Sequence, residues 1–157
     1  MNLNKYIDCF KPTFSDFKAR QKIGYNKTIC EIGVNEAQHA KVLLRYFKPK
    51  KLILIEPTIK DKLFDFVDKH SNVEWIKDYS YNVISSLDKL DYTYIDGDHS
   101  FEGCFSDIVN YYPKSATIGG HDFNQPGVAK AIVKYCEKFD LKFEVGYTIP
   151  RPTWIIK

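Results

Sequence analysis

A doubly wound α/β fold with a mostly parallel, seven-stranded sheet is the class this sequence predicts. Three observations predict it: short apolar runs alternate with segments of helical period, the helical segments are long enough for crossovers, and two final runs flank Pro150 and Pro152. Strands joined through helices pair in parallel by right-handed crossovers, so helices cover both faces. The last two runs, 142–147 and 153–157, predict a C-terminal antiparallel hairpin.

The first unit is a strand over 28–34 and a helix over 36–47, which places Ala40, Leu43, Leu44 and Phe47 on one face. The next strands span 51–56, 73–77, 92–96 and 116–120. Their helices span 60–70, 81–87, 101–112 and 128–139. Residues 1–27 stand outside this repeat, and Tyr6, Phe10, Phe14 and Phe17 recur at helical spacing around Pro12. They predict an N-terminal helical segment or lid, whose aromatic stripe packs on the sheet or covers the site. Residues 28–157 form the main domain.

Composition narrows the function. Apolar residues make up 44% of the chain and charged residues 27%, the balance of a folded domain. A net charge of +3, with only Lys48, Lys50 and Lys51 clustered, predicts that nucleic acid is not a partner. No apolar run approaches the roughly 20 residues that span a bilayer, and the polar start lacks a signal-peptide core, so neither membrane nor export is expected. Cys9, Cys30, Cys104 and Cys136 show neither zinc nor disulfide spacing, which fits a reducing cytoplasm.

In open parallel sheets, ligands collect outside the carboxyl ends of the strands. Five strand exits are therefore informative. Gly33 ends the first strand and admits close backbone approach, with Asn35 and Glu36 opening the next helix. Glu56 follows the second strand 23 positions after Gly33, the spacing at which a carboxylate takes both hydroxyls of a ribose. Asp78, Tyr79 and Ser80 leave the third, as adenine contacts or as a helix cap. The fourth and fifth exits, Asp96-Gly97-Asp98-His99 and Gly119-Gly120-His121-Asp122, bring three aspartates and two histidines to one edge. Asp98 or Ser100 can equally cap the following helix, and Asp122 can close a turn.

With these exits, the sequence resembles the class I S-adenosylmethionine-dependent methyltransferases, and within them methyltransferase family 24. The resemblance spans nearly the whole chain. It rests on Glu31-Ile32-Gly33-Val34, Ile55-Glu56-Pro57, Ile95-Asp96-Gly97-Asp98-His99-Ser100, Gly119-Gly120-His121-Asp122-Phe123, Pro126-Gly127-Val128 and the Trp154-Ile155-Ile156-Lys157 ending. It implies a Rossmann-like methyltransferase fold and S-adenosylmethionine as cofactor. It also implies that Glu31 and Gly33 approach the methionine end, Glu56 the ribose, Asp78 and Tyr79 the adenine, and that Asp96 faces the sulfonium and the acceptor.

One departure matters: Ala37 stands where the family usually has a second glycine, which is harmless if its φ is negative. Methyl transfer from a sulfonium is a direct displacement, needing alignment and a base for an oxygen or nitrogen nucleophile. Asp96, His99 and His121 are the catalytic candidates, with His121 preferred as base or acceptor-orienting group. Related sugar and catechol O-methyltransferases hold magnesium at this edge, where Asp96, Asp98 and Asp122 offer oxygen ligands and imidazoles are less suited.

The function expected is O-methylation of a small molecule or sugar hydroxyl. So short a chain carries no insertion to build an acceptor pocket. The N-terminal segment or a second copy in a homo-oligomer is expected to complete it. The alternatives are a nucleoside-binding domain without transfer activity and an NAD-dependent oxidoreductase, the latter disfavoured because the first loop lacks G-x-G-x-x-G. Neither an Asn/Asp-Pro-Pro-aromatic loop nor a Pro-Cys nucleophile is present, a second reason to expect no nucleic-acid substrate.

Overall fold

The computed structural model describes residues 11–147 and 152–157; Tyr6, Phe10 and the Pro150 connection lie outside them. Seven strands form one sheet: β1 (Thr28–Ile32), β2 (Lys51–Ile55), β3 (Val73–Ile76), β4 (Tyr92–Ile95), β5 (Ile118–Gly120), β6 (Phe143–Gly146) and β7 (Thr153–Ile156). Their spatial order is β3-β2-β1-β4-β5-β7-β6. The predicted βα repeat is present. The helices are α1 (Phe14–Ile23), α2 (Gln38–Phe47), α3 (Asp61–Asp68), the short α4 (Ser80–Val83), α5 (Phe101–Tyr111) and α6 (Pro126–Phe139).

The sheet is more mixed than "mostly parallel" conveys. The β3–β2, β2–β1, β1–β4 and β4–β5 pairs are parallel, whereas β7 runs antiparallel to both β5 and β6. The expected hairpin forms, but its last strand inserts between β5 and β6. Its sequence explains why: Thr153, Trp154, Ile155 and Ile156 are all buried, a continuous run with no solvent-facing alternation.

The two faces carry separate cores. Cys30, Ile32, Ile53, Ile55, Ile95 and Ile118 pack with Ile108 of α5 and Ile132 of α6. Ile29, Leu52, Leu54, Tyr92 and Tyr94 pack with Ala40, Leu43 and Phe47 of α2 and Leu63 and Phe66 of α3. Glu31 shares the second face by strand alternation, so an acid faces the helices there.

Helix α1 starts at a capping box. The Thr13 hydroxyl accepts from the Asp16 N–H at 3.2 Å, and the Thr13 N–H donates to Asp16 Oδ2 at 2.8 Å. It lies on the β5–β7–β6 side of the sheet, as a packed N-terminal helix should. Of the expected aromatic stripe, Phe14 packs against the core and Phe17 is 46% exposed, while Ser15, Asp16 and Ala19 are the buried residues of the helix. No helix among the described residues is long and apolar enough to cross a membrane.

Strand register positions the site. Ile76, Ile55, Ile32, Ile95 and Gly120 are aligned across β3, β2, β1, β4 and β5. The five exits beginning at Lys77, Glu56, Gly33, Asp96 and His121 therefore stand side by side. The sheet reverses order between β1 and β4, which puts Gly33 and Asp96 at the topological switch point.

Ala37 does not have the negative φ that would make it harmless. It sits at φ +61°, fully buried at the start of α2, and Gly33 and Asn35 are also left-handed at +79° and +49°. An alanine in that region carries about 1–2 kcal/mol of strain. Removing a buried methyl costs about 0.8 kcal/mol. Ala37→Gly is therefore expected to stabilise the chain slightly, by up to about 1 kcal/mol, read as a higher urea midpoint at constant m value.

Candidate cofactor and acceptor site

The first loop is braced by Glu56. Its Oε2 accepts the Val34 and Asn35 N–H groups at 3.2 and 3.0 Å, and Oε1 accepts the Thr58 N–H at 3.0 Å. Three of roughly four lone-pair positions are thus engaged, leaving acceptor capacity for a ribose hydroxyl. The Gly33 N–H donates to the Ile55 carbonyl and the Asp96 N–H to the Ile32 carbonyl, extending the ladder beyond the strands. A Cβ on Gly33 would run into the Asp96 carbonyl, so only glycine lets the β1 and β4 exits touch.

At the next exits, two carboxylates and two imidazoles form a four-cornered cluster. Asp96 Oδ1 lies 3.2 Å from His99 Nε2 and 3.5 Å from His121 Nδ1. Asp122 Oδ2 lies 3.3 and 3.4 Å from the same two nitrogens. Asp122 is buried, at a φ of +56°, while Asp96, His99 and His121 are partly open. Burial works to raise the Asp96 pKa, but the His121 and His99 imidazoles outweigh it and hold the carboxyl below its usual range. Asp96 is thus a carboxylate at neutral pH, able to hold an imidazole in orientation.

Asp98 turns away from this cluster. Its Oδ1 accepts the Ser100 N–H at 2.8 Å, and Ser100 caps α5 by accepting from the Gly103 N–H at 3.0 Å. The atoms close enough to share a cation come from Asp96, His99 and Asp122. Magnesium favours an octahedron of oxygen donors, whereas imidazoles stand between the two carboxylates here. The residues present do not fit magnesium, and no catalytic step is assigned to it.

The third exit is solvent-facing. Asp78 Oδ1 accepts from Asn82 Nδ2 at 2.8 Å and from the Tyr79 N–H at 2.7 Å, the Asn82 bond being the main cause of its lowered pKa. Tyr79 is 55% exposed and stacks on Tyr81, with ring centroids 5.4 Å apart and planes 9° from parallel. An open aromatic face there suits a nucleobase.

Sequence reasoning missed a partly buried imidazole near the site, clamped between two fully buried acids. His39 of α2 bridges two acids: its Nδ1 is 3.0 Å from Glu31 Oε1 and its Nε2 is 2.9 Å from Asp16 Oδ2. The Tyr94 ring lies against it at 3.9 Å between centroids. Burial opposes the imidazolium, yet the Asp16 and Glu31 carboxylates together push the His39 pKa up to about 10. The available signal was position: His39 precedes the buried Leu43 by four residues and directly flanks the buried Ala40 of α2.

No protein-family model matches the chain, so the narrower likeness to methyltransferase family 24 gains no support there. An uncharacterized protein of Acanthamoeba polyphaga mimivirus is 33% identical over 108 residues, 60% of this chain and 48% of that protein. The chain thus spans about half the length of that curated relative. A methyltransferase candidate from Streptococcus mutans, solved with S-adenosylhomocysteine, superposes with a TM-score of 0.70 at 9% identity, covering 99% of this chain and 97% of that one. TrmK of M. capricolum, also solved with S-adenosylhomocysteine, gives 0.67 at 15% identity over 92% and 67% of the chains. The B. subtilis tRNA methyltransferase TrmK gives 0.65 at 14% identity over 94% and 65%.

The last likeness corrects the expectation that nucleic acid is not a partner. A tRNA methyltransferase shares this fold, so modest net charge does not exclude RNA. The two missing loop signatures serve particular base chemistries, and their absence does not bear on other positions of a nucleic acid. What the superpositions show for this chain is its architecture: it has the fold of the class I S-adenosylmethionine-dependent methyltransferases.

Proposed function

We propose that this chain is an S-adenosylmethionine-dependent methyltransferase acting on a sugar hydroxyl. The observation that carries the reading is the switch-point edge, where the Gly33 turn, Glu31 and the Asp96–His99–His121–Asp122 cluster stand together. The cofactor fits these residues: Glu31 Oε2 is buried without a hydrogen-bond partner among the described residues, and the Gly33 position has no room for a Cβ.

Glu31, Gly33 and Asn35 would hold the methionine end, Glu56 the ribose, and Asp78 with Tyr79 the adenine. Bound there, S-adenosylmethionine supplies an electrophilic methyl group. The chain aligns the acceptor oxygen and removes its proton. His121 is assigned as base because its Nδ1 lies between Asp96 and Asp122, carboxylates that stabilise the imidazolium formed when it takes that proton. His99, between the same carboxylates, orients the acceptor or shares the proton. The acceptor atom is a hydroxyl oxygen, by resemblance to the sugar O-methyltransferases.

A free sugar and an RNA ribose offer the same hydroxyl chemistry, and the test separates them. Radiolabelled methyl transfer from S-adenosylmethionine is measured with sugar panels in one arm and tRNA in the other. Asp96→Asn is expected to reduce transfer by about 100-fold or more while S-adenosylhomocysteine still binds. Tight NAD binding without S-adenosylhomocysteine binding would overturn the reading.

A further inference from the structure

The Asp16–His39–Glu31 chain is more elaborate than packing requires. Asp16 is fixed from several sides: Oδ2 accepts the Thr13 N–H, Oδ1 lies 3.3 Å from the Tyr92 hydroxyl, and the residue is fully buried. It holds His39 Nε2, and His39 Nδ1 in turn takes only Oε1 of Glu31. Glu31 is 1% exposed, and its second oxygen, Oε2, is buried with no hydrogen-bond partner among the described residues. A carboxylate oxygen orphaned at this depth forfeits its hydration without compensation unless a donor reaches it. Two carboxylates around one imidazolium also leave a negative balance suited to a cation.

We propose that His39, clamped between Asp16 and Glu31, is a positioning residue for the cofactor: it takes one oxygen of Glu31 and leaves Oε2 for the ammonium of the methionine end. This rests on the methyltransferase reading above. Through Asp16 the arrangement ties helix α1 to the cofactor site. The groups facing Glu31 are His39 from α2, Asp16 from α1, Asp96 from the β4 exit and the uncharged Tyr92 and Tyr94 from β4. Burial pushes the Glu31 pKa up, and His39 is the group that opposes it. Losing His39 lets Glu31 take up a proton, which removes the partner of an ammonium.

The test is calorimetric titration of wild type and His39→Gln with S-adenosylhomocysteine and with 5′-methylthioadenosine, which lacks the amino-acid end, from about pH 6 to about pH 8. His39→Gln is expected to lose about tenfold or more in S-adenosylhomocysteine affinity at the acid end and to recover towards the alkaline end. Wild type should change little over that range, and 5′-methylthioadenosine should bind both proteins alike. The double variant D16N/H39Q removes one anion with the cation and gives the same selective loss should His39→Gln fail to fold. Equal losses for both ligands, or no loss, would overturn the positioning role. Failure of wild type to bind S-adenosylhomocysteine would instead overturn the cofactor reading, and the proposal with it.

Discussion

Gly33→Ala is expected to abolish S-adenosylhomocysteine binding and to destabilise the chain by about 2–5 kcal/mol. Two effects add. The residue sits at φ +79°, where an L side chain carries about 1–2 kcal/mol of strain. Its Cβ would also strike the Asp96 carbonyl and fall 2.6 Å from the Gly97 Cα, and overpacking of this kind typically costs about 1–3 kcal/mol. Backbone cannot yield as a side-chain tip does, so β1 and β4 must separate at the switch point. Gly24 provides the control: it has nearly the same φ, +78°, with nothing within 4 Å of its would-be Cβ. At ψ −151° Gly24 lies outside the left-handed helical region, so Gly24→Ala should show backbone strain alone, about 1–3 kcal/mol in urea unfolding, with cofactor affinity unchanged. Equal effects at the two glycines would remove the close approach as the reason for Gly33.

The sheet was legible because parallel strands buried on both faces read as unbroken apolar runs. Leu52-Ile53-Leu54-Ile55 has no polar alternation to confuse the reading, and the helices between the runs dictate the crossovers. The strand exits followed from the same pattern, which is why Gly33, Glu56, Asp96 and His121 could be placed together. What remained hidden depends on torsion or on distant partners. Nothing in the residue type says that Ala37 is left-handed, or that in Asp98-His99 the histidine turns inward while the aspartate closes a turn. His39 was hidden differently, since its partners lie 8 and 23 residues away and meet it only when α1 and α2 reach the same side of β1. A histidine at the edge of a buried helical stripe looks the same whether it fills space or clamps an acid.

Trp154→Ala is expected to lower stability by about 3–5 kcal/mol, the range for deleting a large buried aromatic. At 157 residues that corresponds to a fall in Tm on the order of 10 °C. Trp154 is fully buried in β7, and its ring lies where a Cβ on Gly120 would come within 2.7 Å of Cζ2, so the small residue and the large one fit each other. Its Nε1–H donates to the His121 carbonyl at 3.0 Å, which fixes the backbone where β5 leaves the sheet for the acidic–imidazole cluster. Trp154→Phe separates the two contributions, because it keeps most of the apolar volume and deletes the donor. It should cost about 1–2 kcal/mol in stability, with transfer activity falling while S-adenosylhomocysteine affinity stays near wild type. The asymmetry follows from position: in the strand order His121 leaves β5, the side proposed for the acceptor, whereas Gly33 and Glu56 leave β1 and β2, the side proposed for the cofactor. If Trp154→Phe instead lost cofactor affinity and activity together, β7 would be bracing the whole carboxyl edge of the sheet rather than the His121 exit.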